Sequence, residues 1–228
     1  MKNKRILVML IALPALVTGG AFAQTEADFT TYIDKHGYVN ITGYTGNAVD
    51  VVIPATIGGV PVDKIGRGAF AGKTAIRSVT VSAARDIDEG AFSGCTGLRS
   101  ITLPEGIDDI DDRAFAGCAS LVSITIPSTA RKIGDDAFCG CTALAAVTLP
   151  QRLEKIEEGA FADCPALKTI ALPATLRNID RNAFYGCVSL TTVTFPAGLR
   201  KVERGAFIGC VSLDTATRDT IMQRFGSR

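Results

Sequence analysis

The sequence predicts a β-rich repeat solenoid, in which short units coil and stack on one another, and two observations predict it. Between residues 69 and 207 the dipeptide Ala-Phe occurs seven times, and its Phe residues are separated by 22, 23, 23, 23, 23 and 23 residues. Around each Phe the same apolar pattern returns, with Ile or Val five residues before it and Ile or Leu six residues after it. Because one unit of this size cannot bury its own apolar edge, the seven units are expected to stack around a continuous core.

Each unit contains a segment with the pattern of a short strand. Leu98 is followed by two spacers and then by Ile-Thr-Leu, which alternates apolar and polar residues and stops at Pro104. Equivalent strands of stacked units are parallel and about 4.8 Å apart. We therefore expect one parallel β-sheet on one face of the solenoid and short turns or 3-10 segments on the other.

The two ends of the solenoid need caps, because an open end exposes apolar core and unpaired strand edges. Residues 24–61 carry alternating β-type stretches and are interpreted as a β-rich N-terminal cap, residues 62–213 as the seven repeats, and residues 214–228 as a C-terminal cap. The repeat pattern fails after residue 213, where a short amphipathic helix would bury Ile221, Met222 and Phe225.

Residues 1–23 have the pattern of a secretory signal peptide. A basic start is followed by an apolar run over residues 6–17 and by Ala21-Phe22-Ala23, which suits cleavage after Ala23. The apolar run is shorter than the roughly 20 residues that a membrane-spanning helix needs. The mature chain, residues 24–228, is therefore expected to be exported, either to the periplasm or to the cell surface and medium, without a membrane span.

Composition excludes several functional classes. The chain has 24 basic and 23 acidic side chains and is 47% hydrophobic, which argues against intrinsic disorder and against a polybasic nucleic-acid-binding protein. The one histidine, His36, lies outside the repeats, so it is interpreted as a surface residue rather than a catalytic one. The acidic residues 108–112 fit a solvated turn better than a calcium site, since they lack the spacing of an EF-hand loop.

The unit pattern resembles that of a known family. Read through one unit, it consists of Leu98, Ile101, Leu103, Pro104, Ile110, Ala114, Phe115, Gly117, Cys118 and Leu121. This pattern resembles the BspA-like class of bacterial leucine-rich repeats, and residues 37–62 resemble the initial coil of that family. The resemblance covers residues 37–213. It implies a right-handed leucine-rich repeat coil in an exported bacterial protein, and several members of the family are adhesins for host matrix or plasma proteins such as fibronectin and fibrinogen.

Six of the seven cysteines occupy one repeat position, three residues after Phe: Cys95, Cys118, Cys141, Cys164, Cys187 and Cys210. The interpretation that the pattern favours is an inward row of buried thiols. Disulfides between neighbouring coils are an alternative, because export leads to an oxidising compartment, and metal binding is a remote one. The seventh cysteine, Cys139, falls in a turn and is expected to be the most exposed thiol.

The outward positions of the predicted strands carry short hydroxyl side chains and few charges. We take this face as the candidate protein-binding surface, and its residues are Arg77, Thr80, Arg99, Thr102, Thr125, Thr148, Lys168, Thr192 and Thr194. Threonine also favours exposed strands without any binding role. The face lacks Trp and Tyr, so a platform for stacking sugars is not expected.

Charge is distributed unevenly along the repeats. Residues 85–112 hold eight acids and two bases, whereas residues 177–204 hold five bases and two acids. Such polarity could pair the chain with itself or steer a charged partner, but solvated turn residues are the interpretation that we favour.

These observations together predict an exported, non-enzymatic protein-binding module, with adhesion to a host matrix or plasma protein as one use. The alternative is a structural envelope scaffold or self-associating protein. An enzyme with an unrecognised site is a remote alternative, and no cofactor or metal is expected. The partner, the binding face and the oligomeric state are left open by the sequence.

Overall fold

The computed structural model describes residues 24–226. The predicted signal peptide, residues 1–23, and the last two residues of the predicted C-terminal cap lie outside the described residues. A 3-10 turn, Glu26–Asp28, precedes the strands β1 (Phe29–Ile33), β2 (Val39–Tyr44), β3 (Asp50–Ile53), β4 (Thr56–Ile57) and β5 (Val60–Ile65). The repeats continue with β6 (Ser78–Val81), β7 (Asp86–Ile87), β8 (Ser100–Thr102), β9 (Asp109–Ile110), β10 (Ser123–Thr125), β11 (Lys132–Ile133), β12 (Ala146–Thr148), β13 (Lys155–Ile156), β14 (Thr169–Ala171), β15 (Asn178–Ile179), β16 (Thr192–Thr194) and β17 (Lys201–Val202), and α1 (Thr215–Phe225) follows.

The predicted β-rich solenoid is confirmed, and its coils contribute to two parallel strand stacks rather than one. The first stack contains the strands that the sequence predicts, in the successive groups β3-β6-β8, β10-β12 and β14-β16. The second runs without interruption from β2 through β5, β7, β9, β11, β13 and β15 to β17. Most of its strands have two residues, which is too short to leave a period-two pattern, so this stack was not predicted from the sequence.

The phenylalanine rings of the Ala-Phe dipeptides form a continuous column through the core. From Phe70 to Phe207, neighbouring ring centroids are 5.0 to 5.5 Å apart and the ring planes differ by at most 18°. Tyr44 of the N-terminal region lies 5.3 Å from Phe70, and Phe29 lies 5.4 Å from Tyr44, so these two rings continue the column. Six phenylalanines, from Phe70 to Phe184, are fully buried. The core therefore contains a line of aromatic rings, in which each ring depends on the rings of neighbouring coils for its stacking contacts.

Backbone hydrogen bonds join the turns of successive coils in one direction. The N–H of each Phe, from Phe70 to Phe184, donates to the carbonyl oxygen of the alanine that precedes Phe in the next coil; for Phe115 and Ala137 the N–O distance is 2.8 Å. The residues two positions after Phe donate in the same way, as Gly117 does to Cys139 at 2.7 Å. Each coil thus offers its turn N–H groups to the coil that follows it.

The N-terminal edge of the second stack is closed by an antiparallel strand. β1 pairs with β2, which in turn pairs with β5 in parallel, so β1 is the outer strand at this end. β3 pairs in parallel with β6 and extends the first stack by one strand. The region before the first repeat therefore continues both stacks before β1 covers the end.

At the other end, α1 covers only part of the last coil. Asp214 caps the helix by accepting a hydrogen bond from the N–H of Thr217 at 2.7 Å, and the hydroxyl of Thr217 accepts one from the N–H of Val193 at 3.3 Å. Ile221 is buried, as expected, but Met222 is 46% exposed rather than buried. No helix between residues 24 and 226 has the length and apolar character needed to span a membrane.

Candidate functional site

The nine candidate residues all lie exposed on, or directly before, strands of the first stack. The register places Thr80 opposite Thr102 and Thr125 opposite Thr148, so that hydroxyls of adjacent coils stand side by side. Arg77, Arg99 and Lys168 each directly precede a strand of the stack. The parallel pairing therefore brings side chains that are about 23 residues apart in sequence onto one surface.

Most of the threonine hydroxyls on this surface are free to bond a partner. The side chains of Thr80, Thr102, Thr125, Thr148 and Thr194 make no hydrogen bond with any residue in the described range. We call these five residues the hydroxyl row. Because a hydroxyl both donates and accepts, the row can bond the amides and carbonyls of a bound polypeptide.

The ends of this surface are already engaged within the chain. Thr192 donates its hydroxyl proton to a carboxylate oxygen of Asp214 at 3.0 Å, and Ser78 donates to Asp50 at 2.6 Å. Thr192 therefore supports the C-terminal cap instead of adding a free hydroxyl to the surface. Neither aspartate could be recognised from the sequence, because each lies outside the repeat pattern that identified the face.

The second stack presents a different surface, in which charged side chains pair with one another across coils. Lys64 contacts Asp86, and Lys155 bridges Glu157 at 2.8 Å and Asp180 at 2.9 Å. Burial raises the pKa of Glu157, but hydrogen bonds from Lys155 and Lys132 outweigh it and leave this pKa below its ordinary value. Because these charged side chains already form ion pairs within the chain, they are less available to bind another protein than the hydroxyl row.

The remaining titratable candidates are not assembled into a site. Asp109 belongs to β9, and burial raises the pKa of both Asp109 and Asp111 above its ordinary value. Between residues 24 and 226, no three His, Cys, Asp or Glu side chains are grouped as metal ligands. His36 is exposed in a turn, where its backbone N–H donates to Asp34 at 2.8 Å.

The six repeat cysteines form the expected row of buried thiols, and the disulfide alternative is absent among residues 24–226, where every cysteine is free. Each Sγ donates to the carbonyl oxygen of a Phe in the preceding coil, at 3.0 to 3.2 Å. Burial raises the pKa of Cys95 and of Cys210 to about 11, and it raises those of the four cysteines between them further. Cys139 is half-buried, so it is more accessible than the row.

We expect Ellman's reagent at pH 8 to label one thiol quickly in the folded mature chain, because Cys139 alone is outside the buried row. The other six should react only after unfolding in guanidinium, giving seven thiols in total. Cys139→Ser should remove the fast reaction, whereas Cys141→Ser should leave it intact. Fewer than seven thiols in denaturant without reductant would show that disulfides form, contrary to this expectation.

The repeats match a family model described as the BspA type leucine rich repeat region, with six copies over residues 63–177 and 109–228. Among solved structures, a leucine-rich repeat protein of T. pallidum is 32% identical with a TM-score of 0.80, and the match covers 86% of this chain and 93% of that one. A leucine-rich repeat protein of Bacteroides ovatus is 29% identical with a TM-score of 0.60, and the match covers 80% of this chain but 55% of that one.

The pneumococcal vaccine antigen PcpA is also similar, at 23% identity and a TM-score of 0.57, and the match covers 78% of this chain and 48% of that one. This likeness concerns the fold alone. A comparison with curated proteins found no match. Since the family model matches residues 63–228, most of the described chain, the chain belongs to the BspA-type leucine-rich repeat family.

Proposed function

We propose that the chain is an exported, non-enzymatic module that binds another protein through the hydroxyl row. The observation that carries this proposal is that five exposed threonine hydroxyls have no hydrogen-bond partner within the described chain, and strand pairing holds four of them in register as the pairs Thr80–Thr102 and Thr125–Thr148. Stacked coils hold the row rigid, so that a partner can form many modest contacts at a small cost in conformational entropy.

Two further observations support this proposal. Membership of the leucine-rich repeat family indicates a protein-binding module. Export is supported by the basic start, apolar run and small residues of the first 23 positions. A host matrix or plasma protein is the partner class to test first, since an exported module first meets proteins outside its own cell.

A structural scaffold is the second candidate, and the uneven distribution of charge favours it. The first repeats are acidic and the last ones basic, which suits antiparallel pairing of two copies. Self-association of this kind would depend on ionic strength, whereas contacts of the uncharged hydroxyl row would depend on it less.

The proposal can be tested with the mature chain, residues 24–228, immobilised and exposed to plasma and matrix proteins and to envelope extract, with mass spectrometry of what is retained. For a retained protein, biolayer interferometry would then compare two double variants. Thr102→Arg with Thr125→Arg places bulky charges in the hydroxyl row and should weaken binding by about tenfold or more. The control, Thr74→Arg with Thr96→Arg, places the same charges on exposed turn residues and should bind like the wild type.

Equal weakening by both double variants, or by neither, would contradict a role for the hydroxyl row. Sedimentation velocity distinguishes the scaffold from the binding module. A mass that rises with concentration and falls with added salt would favour self-association through the charged repeats instead.

A further inference from the structure

Among the described residues, the last coil leaves two backbone donors without the acceptors that the equivalent donors of every earlier coil find in the coil after them. In each preceding coil, turn N–H groups donate to carbonyl oxygens of the next coil, ending with Phe184 to Ala206 and Gly186 to Ile208, both at 2.8 Å. The equivalent donors of the last coil are the N–H groups of Phe207 and Gly209, and no acceptor for them lies among residues 24–226. The extended backbone of another polypeptide could supply carbonyl oxygens as acceptors for these N–H groups.

The same end of the solenoid carries exposed apolar side chains that the earlier turns lack. Two turn positions, one and four residues after Phe, are occupied in the first five coils by Ala71, Thr74, Ser93, Thr96, Ala116, Ala119, Cys139, Thr142, Ala162 and Pro165. In the last two coils they are occupied by Tyr185, Val188, Ile208 and Val211, which are between 42% and 70% exposed. The change from small or polar residues to large apolar ones is confined to the coils next to the open end, which marks an interaction surface.

A cavity of about 300 Å³ opens beside these side chains, between the last coil and α1. Its lining is mainly apolar and includes Phe207, Ile208, Leu213, Ile221 and Met222. The cavity exists because α1 packs against the strand side of the last coil and leaves its turn side uncovered. It can receive one bulky apolar side chain, such as phenylalanine or leucine.

The surroundings of the cavity are basic. Residues 177–226 contain seven basic and four acidic side chains. Arg204 lies three residues before Phe207 and is exposed without an ion pair to any described residue. Arg218 lines the cavity while donating to the carbonyl oxygen of Val211 at 2.7 Å. Two copies meeting through this end would bring like charges together, so a carboxylate-bearing partner suits it better.

We propose that the open C-terminal end of the solenoid binds an extended, acidic peptide segment of a partner protein. The carbonyl oxygens of the segment accept hydrogen bonds from Phe207 and Gly209, one apolar side chain fills the cavity, and flanking carboxylates lie near Arg204 and Arg218. This site is separate from the hydroxyl row, and its test does not depend on the function proposed for that surface.

Fluorescein-labelled peptides and anisotropy titrations of the mature chain test this assignment. The acidic probe is Gly-Glu-Glu-Phe-Glu-Glu-Gly, and we expect it to bind more tightly, by about tenfold or more, than either Gly-Lys-Lys-Phe-Lys-Lys-Gly or Gly-Glu-Glu-Ser-Glu-Glu-Gly. In ¹⁵N-labelled protein, the amide protons of Phe207 and Gly209 should move downfield as the acidic probe is added. Equal binding of all three probes, or no binding at millimolar concentration, would overturn the proposal.

Two substitutions introduce small or polar residues of the kind that earlier coils carry at the same turn positions. A variant with both is therefore expected to fold normally. Ile208→Ala and Val211→Thr, combined, copy residues such as Ala116 and Thr142, and we expect this variant to weaken binding of the acidic probe by about tenfold. The matched control is Val122→Thr, because Val122 is 53% exposed on the face of the first stack, away from this end. Replacing the Val122 side chain should leave binding of the acidic probe unchanged. If sedimentation shows a dimer that the double variant abolishes, the surface joins two copies of the chain and the peptide proposal is wrong.

Discussion

Phe138→Ala is expected to lower the free energy of unfolding by about 3–5 kcal/mol, the largest loss we expect from a single core truncation. Phe138 is fully buried in the fourth coil, with the rings of Phe115 and Phe161 each 5.2 Å away. Neither neighbour can move into the vacated space, because each ring is held by its own coil. The substitution therefore removes two stacking contacts at once and separates the column into two halves.

Urea unfolding followed by circular dichroism measures this loss, with free energies taken by linear extrapolation. The matched control is Phe207→Ala at the end of the column. Phe207 is half-buried, stacks only on Phe184 and meets Phe195 edge-on, so its truncation should cost about half as much. Similar losses in the two variants would mean that the column does not behave as a chain of nearest-neighbour contacts.

Gly97→Ala is expected to destabilise the chain by about 2–3 kcal/mol, although it adds a single methyl group. A Cβ at this position would lie 2.2 Å from the carbonyl oxygen of Thr74 and 3.0 Å from that of Ile76. Both atoms belong to the backbone of the preceding coil, so no side-chain rotation can relieve the clash. The first two coils would have to separate, which weakens the hydrogen bonds between them.

The reverse exchange at the same repeat position in the fourth coil, Ala143→Gly, is the matched control. It creates no clash and should cost less than about 1 kcal/mol, through the greater backbone freedom of glycine. Thermal and urea unfolding of both variants would measure the difference. If the two variants lost the same free energy of unfolding, the close approach of the first two coils at Gly97 would not be the cause. Any substitution at this repeat position would then have the same effect.

The solenoid could be predicted from the sequence because its determinants recur. Each repeat carries the same Ile, Ala-Phe and Leu positions, so an ambiguous signal in one unit is resolved by six others. The cysteine row followed from the same logic, since a residue at a constant distance from a buried Phe shares its environment. By contrast, the second stack was missed, because a two-residue strand such as Lys155–Ile156 has no periodicity of its own.

The exposed candidates were also predictable, but their chemistry was not. Alternation within each strand places Thr102 and Thr192 alike on the outer face, and both are exposed. Only the position of Asp214 in the folded chain shows that Thr192 already has a hydrogen-bond partner. The sequence does not distinguish the two threonines, since the difference arises where the last strand meets α1.

The repeat pattern alone therefore determined the number of coils, the residues that face the core and the residues that face outward, because each of these properties depends on local periodicity. The tertiary structure decided how the ends are completed. Tyr44 continues the aromatic column at one end, while at the other a cavity and two turn N–H groups without an acceptor among residues 24–226 remain. The physical reason is that an end has no neighbouring coil. What covers it depends on how non-repeating segments pack in space, and no periodicity in the sequence encodes that packing.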